Sequence, residues 1–189
     1  MTNLIVSPGR YDGVEIVEKA VKWCTKEITG NYSNFRFHHA DVSNPYATRE
    51  NGRSASAYQL PFDDNTYDVV YLTSVFSHMR PGDIKAYVNE ISRVRKFQGK
   101  CFITYYVIND FVKAQLASNL ASQDFRYDFG DFFSTHKRTP EHAIAVPESL
   151  VRGFYDEIEL VTEEPILYGS WAVGEKRFSY QDVIVATKP

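Results

Sequence analysis

Short apolar runs of strand length alternate along this chain with segments whose apolar residues recur every three or four positions, the pattern of a sheet covered by helices. Residues 11–16 and 35–42 read as strands. Between them Val17, Val21, Cys24 and Ile28 fall at helical spacing among lysines and glutamates, and Gly30 follows as a stop. A second helix is predicted over 81–95, opened by Pro81 and burying Ile84, Tyr87, Val88, Ile91 and Val94. Residues 43–57 are polar and aperiodic, hence a loop. The pattern weakens between 110 and 147: 111–120 fits a helix, while 125–139 is aromatic and charged without a period. Long connections of this kind serve function or move, so the stretch is expected to form a cap or lid on a single domain spanning residues 1–189. A last helix over 147–157 leads to two strands, 159–168 and 180–187, joined through Gly169, Ser170, Trp171 and Gly174 as an antiparallel hairpin.

Bulk properties narrow the partners. A chain of 189 residues supplies one α/β core, and a net charge of −3 with both signs interspersed gives no electrostatic footprint for nucleic acid or an anionic membrane. Residues 1–6 lack both the basic start and the apolar run of a signal peptide, so a cytoplasmic location is expected. Cys24 and Cys101 are too isolated for a disulfide framework or a zinc site and read as buried free thiols. His38 and His39 point to opposite faces of one strand and cannot share a metal ion.

Five blocks in order carry a resemblance to a known family: Tyr-Asp-Gly-Val-Glu-Ile from Tyr11, Phe-Arg-Phe-His-His-Ala-Asp-Val from Phe35, Leu-Pro-Phe-Asp from Leu60 with the run Tyr67 to His78, Glu-Ile-Ser-Arg-Val from Glu90 with Gly99 to Thr104, and the terminal hairpin. Together they resemble class I methyltransferases that use S-adenosylmethionine (SAM). The resemblance implies an α/β, Rossmann-like sheet, mostly parallel with a C-terminal antiparallel hairpin, and a small-molecule methyl acceptor whose specificity lies in 110–147. Where the family usually reads Arg-Val-Leu-Lys-Pro-Gly-Gly, this chain has Arg95, Lys96, Phe97 and Gln98 before a single Gly99, so the turn into the next strand is expected to be irregular.

In open α/β sheets ligands sit beyond the carboxyl ends of the strands. By the resemblance, Glu15 accepts hydrogen bonds from the ribose hydroxyls, Asp41 takes the adenine amino group, the Val42 amide faces a ring nitrogen and Ile16 forms an apolar wall. Leu72 and Thr73, with Ser74, leave the next strand beside the sulfonium. Each has a plainer reading: Glu15 at a helix N-terminus, Asp41 in a turn, Ser74 or Ser77 as a helix cap. His78 suits removal of a proton from the acceptor, yet a packing histidine fits the matching position better. Tyr105, Tyr106, Tyr127, Phe132, Phe133 and Trp171 either line a substrate pocket or, more in keeping with aromatics generally, fill the core.

The family's first strand and its glycine-rich loop have no counterpart before Tyr11, where ten residues stand in place of a unit of about 30. Weak SAM binding follows, because that loop holds the methionine end. Two readings remain open: a methyltransferase truncated or completed by another chain, and a non-catalytic interaction or scaffold module. A nicotinamide-binding protein is disfavoured by the later blocks. The vacant central slot is expected either to take residues 4–6 as a hairpin against the strand at Tyr11 or to drive homodimer formation through open edges.

Overall fold

The structure is a computed structural model that describes residue 5 and residues 8–43 and 52–189. The chain divides into two compact units, Met1–Tyr58 and Gln59–Pro189. The hairpin expected at residues 4–6 lies outside the described residues, as does most of the 43–57 loop.

In the first unit β1 (Tyr11–Glu15) pairs in parallel with β2 (Phe35–His39), in register from Tyr11 opposite Phe35 to Glu15 opposite His39. Tyr11 packs its ring 5.2 Å from Phe35 and 5.8 Å from Phe37. Gly13 makes room for this cluster, since a Cβ there would stand 2.9 Å from the Phe37 ring. The helix α1 (Glu18–Cys24) runs on through a π turn, Thr25–Thr29, to Gly30, where a Cβ would meet the Lys26 carbonyl at 2.6 Å. The expected helix and its stop are therefore both present. Its stripe is less covered than its periodicity suggests: Val17 is exposed, and Val21, Cys24 and Ile28 are half-buried. Cys24 is accordingly not the buried thiol expected, whereas Cys101 is.

The second unit runs β3 (Tyr67–Leu72), α2 (Pro81–Val94), β4 (Arg95–Tyr105), β5 (Val107–Ile108), α3 (Asp110–Ala117), β6 (Tyr127–Asp128), β7 (Phe133–Ser134), β8 (Ile144–Pro147), α4 (Glu148–Asp156), β9 (Val161–Thr162) and β10 (Asp182–Thr187). One sheet has the order β3-β4-β10-β9 and a second the order β5-β8-β7-β6. β3 lies parallel to β4, and β5 to β8, while β10 is antiparallel to both β4 and β9. The α/β class and the terminal antiparallel hairpin are as expected. The sheets are mixed, because residues 125–139, which show no period, fold as β6 and β7, antiparallel to one another, with β7 antiparallel to β8. Among the described residues β1 pairs only with β2 and β3 only with β4, with Val69 and Tyr71 of β3 exposed.

α2 buries Ile84, Val88, Ile91 and Val94 and leaves Tyr87 half-buried. Arg93 at its end donates to the carbonyls of Phe62 (2.8 Å) and Leu60 (3.0 Å), while Glu90 accepts the Leu60 amide at 2.8 Å. These bonds bind the Leu-Pro-Phe-Asp loop to the helix. The chain then passes straight from α2 into β4. Pairing jumps from Tyr67 opposite Arg95 to Val69 opposite Lys100, and Gln98 takes a φ of 58°. This is the irregular turn that the missing proline and glycine imply.

The bulge carries Arg95 inward, to 0% exposure. Its Nη1 donates to the Ala186 carbonyl at 3.1 Å, but Nε and Nη2 have no hydrogen-bond partner and no carboxylate pairs with it among the described residues. A buried cation without a counter-charge opposes folding.

Asp182 is buried where the two sheets of the second unit adjoin in sequence. Its Oδ2 accepts the Val107 amide and the Trp171 Nε1–H, and its Oδ1 the Gly169 amide, each at 2.8 Å. Trp171 (0% exposed) packs edge-on to Phe125 and Tyr106, with centroids 5.3 and 5.2 Å away. Gly169 is obligatory for the close crossing here, since a Cβ would lie 2.2 Å from the Tyr180 carbonyl oxygen and 2.5 Å from the Gln181 carbonyl carbon. Burial pushes the Asp182 carboxyl up to about 6, against the pull of its three N–H donors.

Two outcomes are expected. Arg95→Met, which keeps the side chain's length and removes the unpaired charge, raises unfolding free energy by about 2 kcal/mol in denaturant titrations. Asp182→Asn places an NH2 group against N–H donors and costs about 2 kcal/mol at pH 7. Because the folded carboxyl titrates near 6, above its ordinary value of 3.8, its protonation favours the fold below pH 6, and this contribution fades as pH rises through 6. The wild-type advantage over Asp182→Asn therefore widens by about 1 kcal/mol between pH 7 and pH 5.

Candidate functional site

Register places Glu15 and Asp41 at the carboxyl ends of the neighbouring parallel strands β1 and β2. Glu15 is exposed, and its Oε1 accepts the Val17 amide at 2.8 Å, so one carboxylate oxygen opens α1. The other has no partner among the described residues. Ala40 continues the ladder by donating to the Glu15 carbonyl at 2.9 Å, and the half-buried Ile16 is fixed by a contact of 3.2 Å between its carbonyl and His39 Nε2. Asp41 is exposed, while its carbonyl accepts the Arg53 amide at 3.1 Å. Val42 is buried, and its amide donates to the Ala40 carbonyl at 2.9 Å. The tight turn at Ala40–Val42 thus occupies the N–H that was expected to face outward. His38 reaches Asp12 (2.8 Å) and His39 the Ile16 carbonyl, in keeping with separate faces. No cluster of metal-ligating side chains occurs among the described residues.

In the second unit Leu72 is half-buried at the end of β3 and Thr73 is exposed. Ser74 then adopts a left-handed φ of 56°. Its amide donates to Thr104 Oγ1 (2.8 Å) and its hydroxyl to Gln181 Oε1 (3.0 Å), and Thr104 donates to the same Gln181 oxygen at 2.7 Å. The short turn Phe76–His78 has no side-chain cap, so neither Ser74 nor the buried Ser77 serves as one. His78 Nδ1 lies 2.8 Å from the Glu141 carbonyl. A carbonyl only accepts, so Nδ1 carries the hydrogen and the ring ties this turn to Pro140–His142. Tyr105, Tyr106, Phe132 and Trp171 are buried, and Tyr127 and Phe133 half-buried. These aromatics are mainly core, as their residue type suggests. Tyr105 and Tyr155 share a buried hydroxyl contact of 2.9 Å, and burial raises both phenols.

Several polar residues found here stand in no sequence block. Asn109 caps α3 by accepting the Val112 amide at 2.9 Å and donates to Glu148 at 3.0 Å. Glu148 also accepts from Tyr168 (2.9 Å) and Arg152 (2.9 Å). Burial alone would raise its carboxyl, but Asn109, Tyr168 and Arg152 together hold it below the usual range. Beside them a recess of about 390 Å³ is lined by Ile108, Asn109, Asp110, Phe133, Pro147 and Glu148, at the carboxyl ends of β5 and β8. The asparagine at position 109, just before an amphipathic run, is the one signal that could have drawn attention to this corner.

Solved structures share the fold. A protein from Pyrococcus horikoshii OT3 superposes with a TM-score of 0.59 at 17% identity, covering 96% of this chain and 73% of its own. A SAM-dependent methyltransferase from Methanosarcina mazei gives 0.58 at 16% identity, covering 94% and 81%. The 1,6-didemethyltoxoflavin-N1-methyltransferase of Burkholderia thailandensis, crystallised with 1,6-didemethyltoxoflavin and S-adenosylhomocysteine, gives 0.52 at 12% identity, covering 95% and 61%. Among the described residues no helix is long and apolar enough to cross a membrane. The sequence profile of the methyltransferase domain matches residues 2–103, more than half of the chain. With the open α/β sheets and the ordered blocks, that match means the chain belongs to the class I methyltransferase domain family, whose cofactor is S-adenosylmethionine.

Proposed function

We propose that this chain transfers a methyl group from SAM to a small-molecule acceptor, and that its own residues grip the adenosine half of the cofactor more firmly than the methionine half. The observation that carries the reading is the pair of exposed carboxylates, Glu15 and Asp41, on adjacent parallel strand ends. Ribose hydroxyls and the adenine amine are donors, and ionised acceptors bind donors more strongly than neutral ones do. Glu15 would hold the ribose and Asp41 the amine, with Ile16 against the ring. Val42 contributes its buried side chain, which seats the Asp41 turn, in place of its engaged amide. Leu72 and Thr73 are assigned to the sulfonium region, where carbonyl and hydroxyl oxygens favour positive charge without attacking it.

The methionine end needs N–H donors from a glycine-rich turn between a strand and a helix. Among the described residues the glycines with left-handed φ are Gly130 and Gly174, and neither stands between a strand and a following helix. When bound, SAM supplies the activated methyl group, so the protein's work is alignment. The acceptor is assigned to the recess beside Asn109 and Phe133, where Ile108, Phe133 and Pro147 stand among Asp110, Lys113, Glu148 and Ser149, a mixed lining that suits a small polar molecule. His78 is assigned to holding the turn at Glu141 and not to proton removal.

Calorimetric titration should give a dissociation constant for S-adenosylhomocysteine in the high micromolar range. Asp41→Ala and Glu15→Ala should each weaken it about tenfold, the weight of one lost hydrogen bond to a charged group, with the chain still folded. Low-micromolar binding by the wild type would refute the weak methionine grip. Unchanged affinity in both variants would refute the adenosine site.

A further inference from the structure

Gln181, at the start of the terminal hairpin's second strand, is buried, at 7% exposure, and its single carbonyl oxygen accepts two hydroxyls from separate strand ends. One of these, Ser74, is a non-glycine residue in the left-handed region, a conformation that persists only when its surroundings impose it. The surroundings here are few and specific. Thr104 Oγ1 receives the Ser74 amide and passes its own hydrogen to Gln181, while the Ser74 hydroxyl donates to the same Gln181 oxygen. The result is a closed three-residue ring that fixes both the backbone and the side chain of Ser74.

Position gives the ring its meaning. Ser74 is the second residue beyond β3, Thr104 the penultimate residue of β4 and Gln181 the residue before β10. All three sit at the end of the sheet where the parallel strands β3 and β4 terminate, the end at which such sheets bind ligands. The left-handed turn at Ser74 sets the direction in which the chain leaves β3. The Ser74 amide held on Thr104 belongs to the same planar peptide as the Thr73 carbonyl, so the ring also fixes the direction of that oxygen.

We propose that Gln181, acting through Thr104 and Ser74, is a positioning residue for the segment that meets the cofactor's sulfur. This rests on the assignment of Leu72 and Thr73 made above. Gln181 touches neither cofactor nor acceptor in this role. It holds the strand exit in the one conformation that presents the Thr73 oxygen, and it belongs to a part of the chain outside the residues matched by the family profile.

The test compares two probes on the full chain. Gln181→Leu keeps the side chain's bulk and removes the shared acceptor. Its affinity for S-adenosylhomocysteine should fall about tenfold, while its affinity for adenosine, which lacks the sulfur and homocysteine, should match the wild type. Thr104→Val, which preserves the branched shape, should act in the same direction and serves if the first variant fails to fold. Adding Ser74→Gly to Gln181→Leu should restore most of the lost affinity, because glycine adopts a positive φ without an anchor. An unchanged S-adenosylhomocysteine affinity in folded Gln181→Leu and Thr104→Val overturns the proposal. So does an equal loss for both probes, the signature of a merely structural residue. A wild-type chain that binds neither probe overturns the adenosine site as well, whereas normal adenosine binding that Asp41→Ala leaves intact overturns that site alone.

Discussion

Three N–H groups from two distant segments meet on one buried carboxylate, and much of the second unit is arranged around that meeting. The Val107 amide starts the small sheet, the Gly169 amide lies in the terminal hairpin, and the Trp171 indole anchors the aromatic core. An amide of the same shape could not satisfy all three without presenting a donor to one of them. Asp182 thus replaces what a longer strand ladder would do elsewhere, joining sheets that share few backbone bonds. Its burial opposes its own ionisation, so the joint is held by hydrogen bonding against desolvation.

Elements with a strong period were legible in the sequence, and those whose form depends on distant partners were not. α2 could be read from Pro81 and its apolar stripe because a helix satisfies its own backbone locally. The irregular entry to β4 could be read from what Arg95 to Gln98 lack. By contrast β6 and β7 are two residues each, β7 resting on β8 and β6 on β7, so no local pattern announces them. The terminal hairpin was expected as two long strands but pairs at β9 and at the single bridge from Leu167 to Val183, since the chain leaves the sheet to deliver Trp171 to the core.

The same distinction runs through the site. Glu15 and Asp41 could be placed at strand ends because the blocks that carry them resemble the family's strand endings. What periodicity cannot supply is the hydrogen-bond state of a particular amide, and the turn at Ala40 engages that of Val42. Nor can it find Gln181 or Glu148, whose partners lie far away in sequence. His78 illustrates the converse: its residue type marked it in the sequence, but the carbonyl that its Nδ1 meets belongs to Glu141, far along the chain.

Gly169 gives these separate observations a common history. Its absent side chain lets the hairpin pass within touching distance of the Tyr180 and Gln181 backbone, while its amide is one of the three held by Asp182. One methyl group at this point would push on the residue that braces the β3 exit and on the joint that seats Trp171 at the same time. Mutational drift therefore cannot retune the two independently. Descendants of this sequence must inherit the pair of features together or find a new path for the whole hairpin.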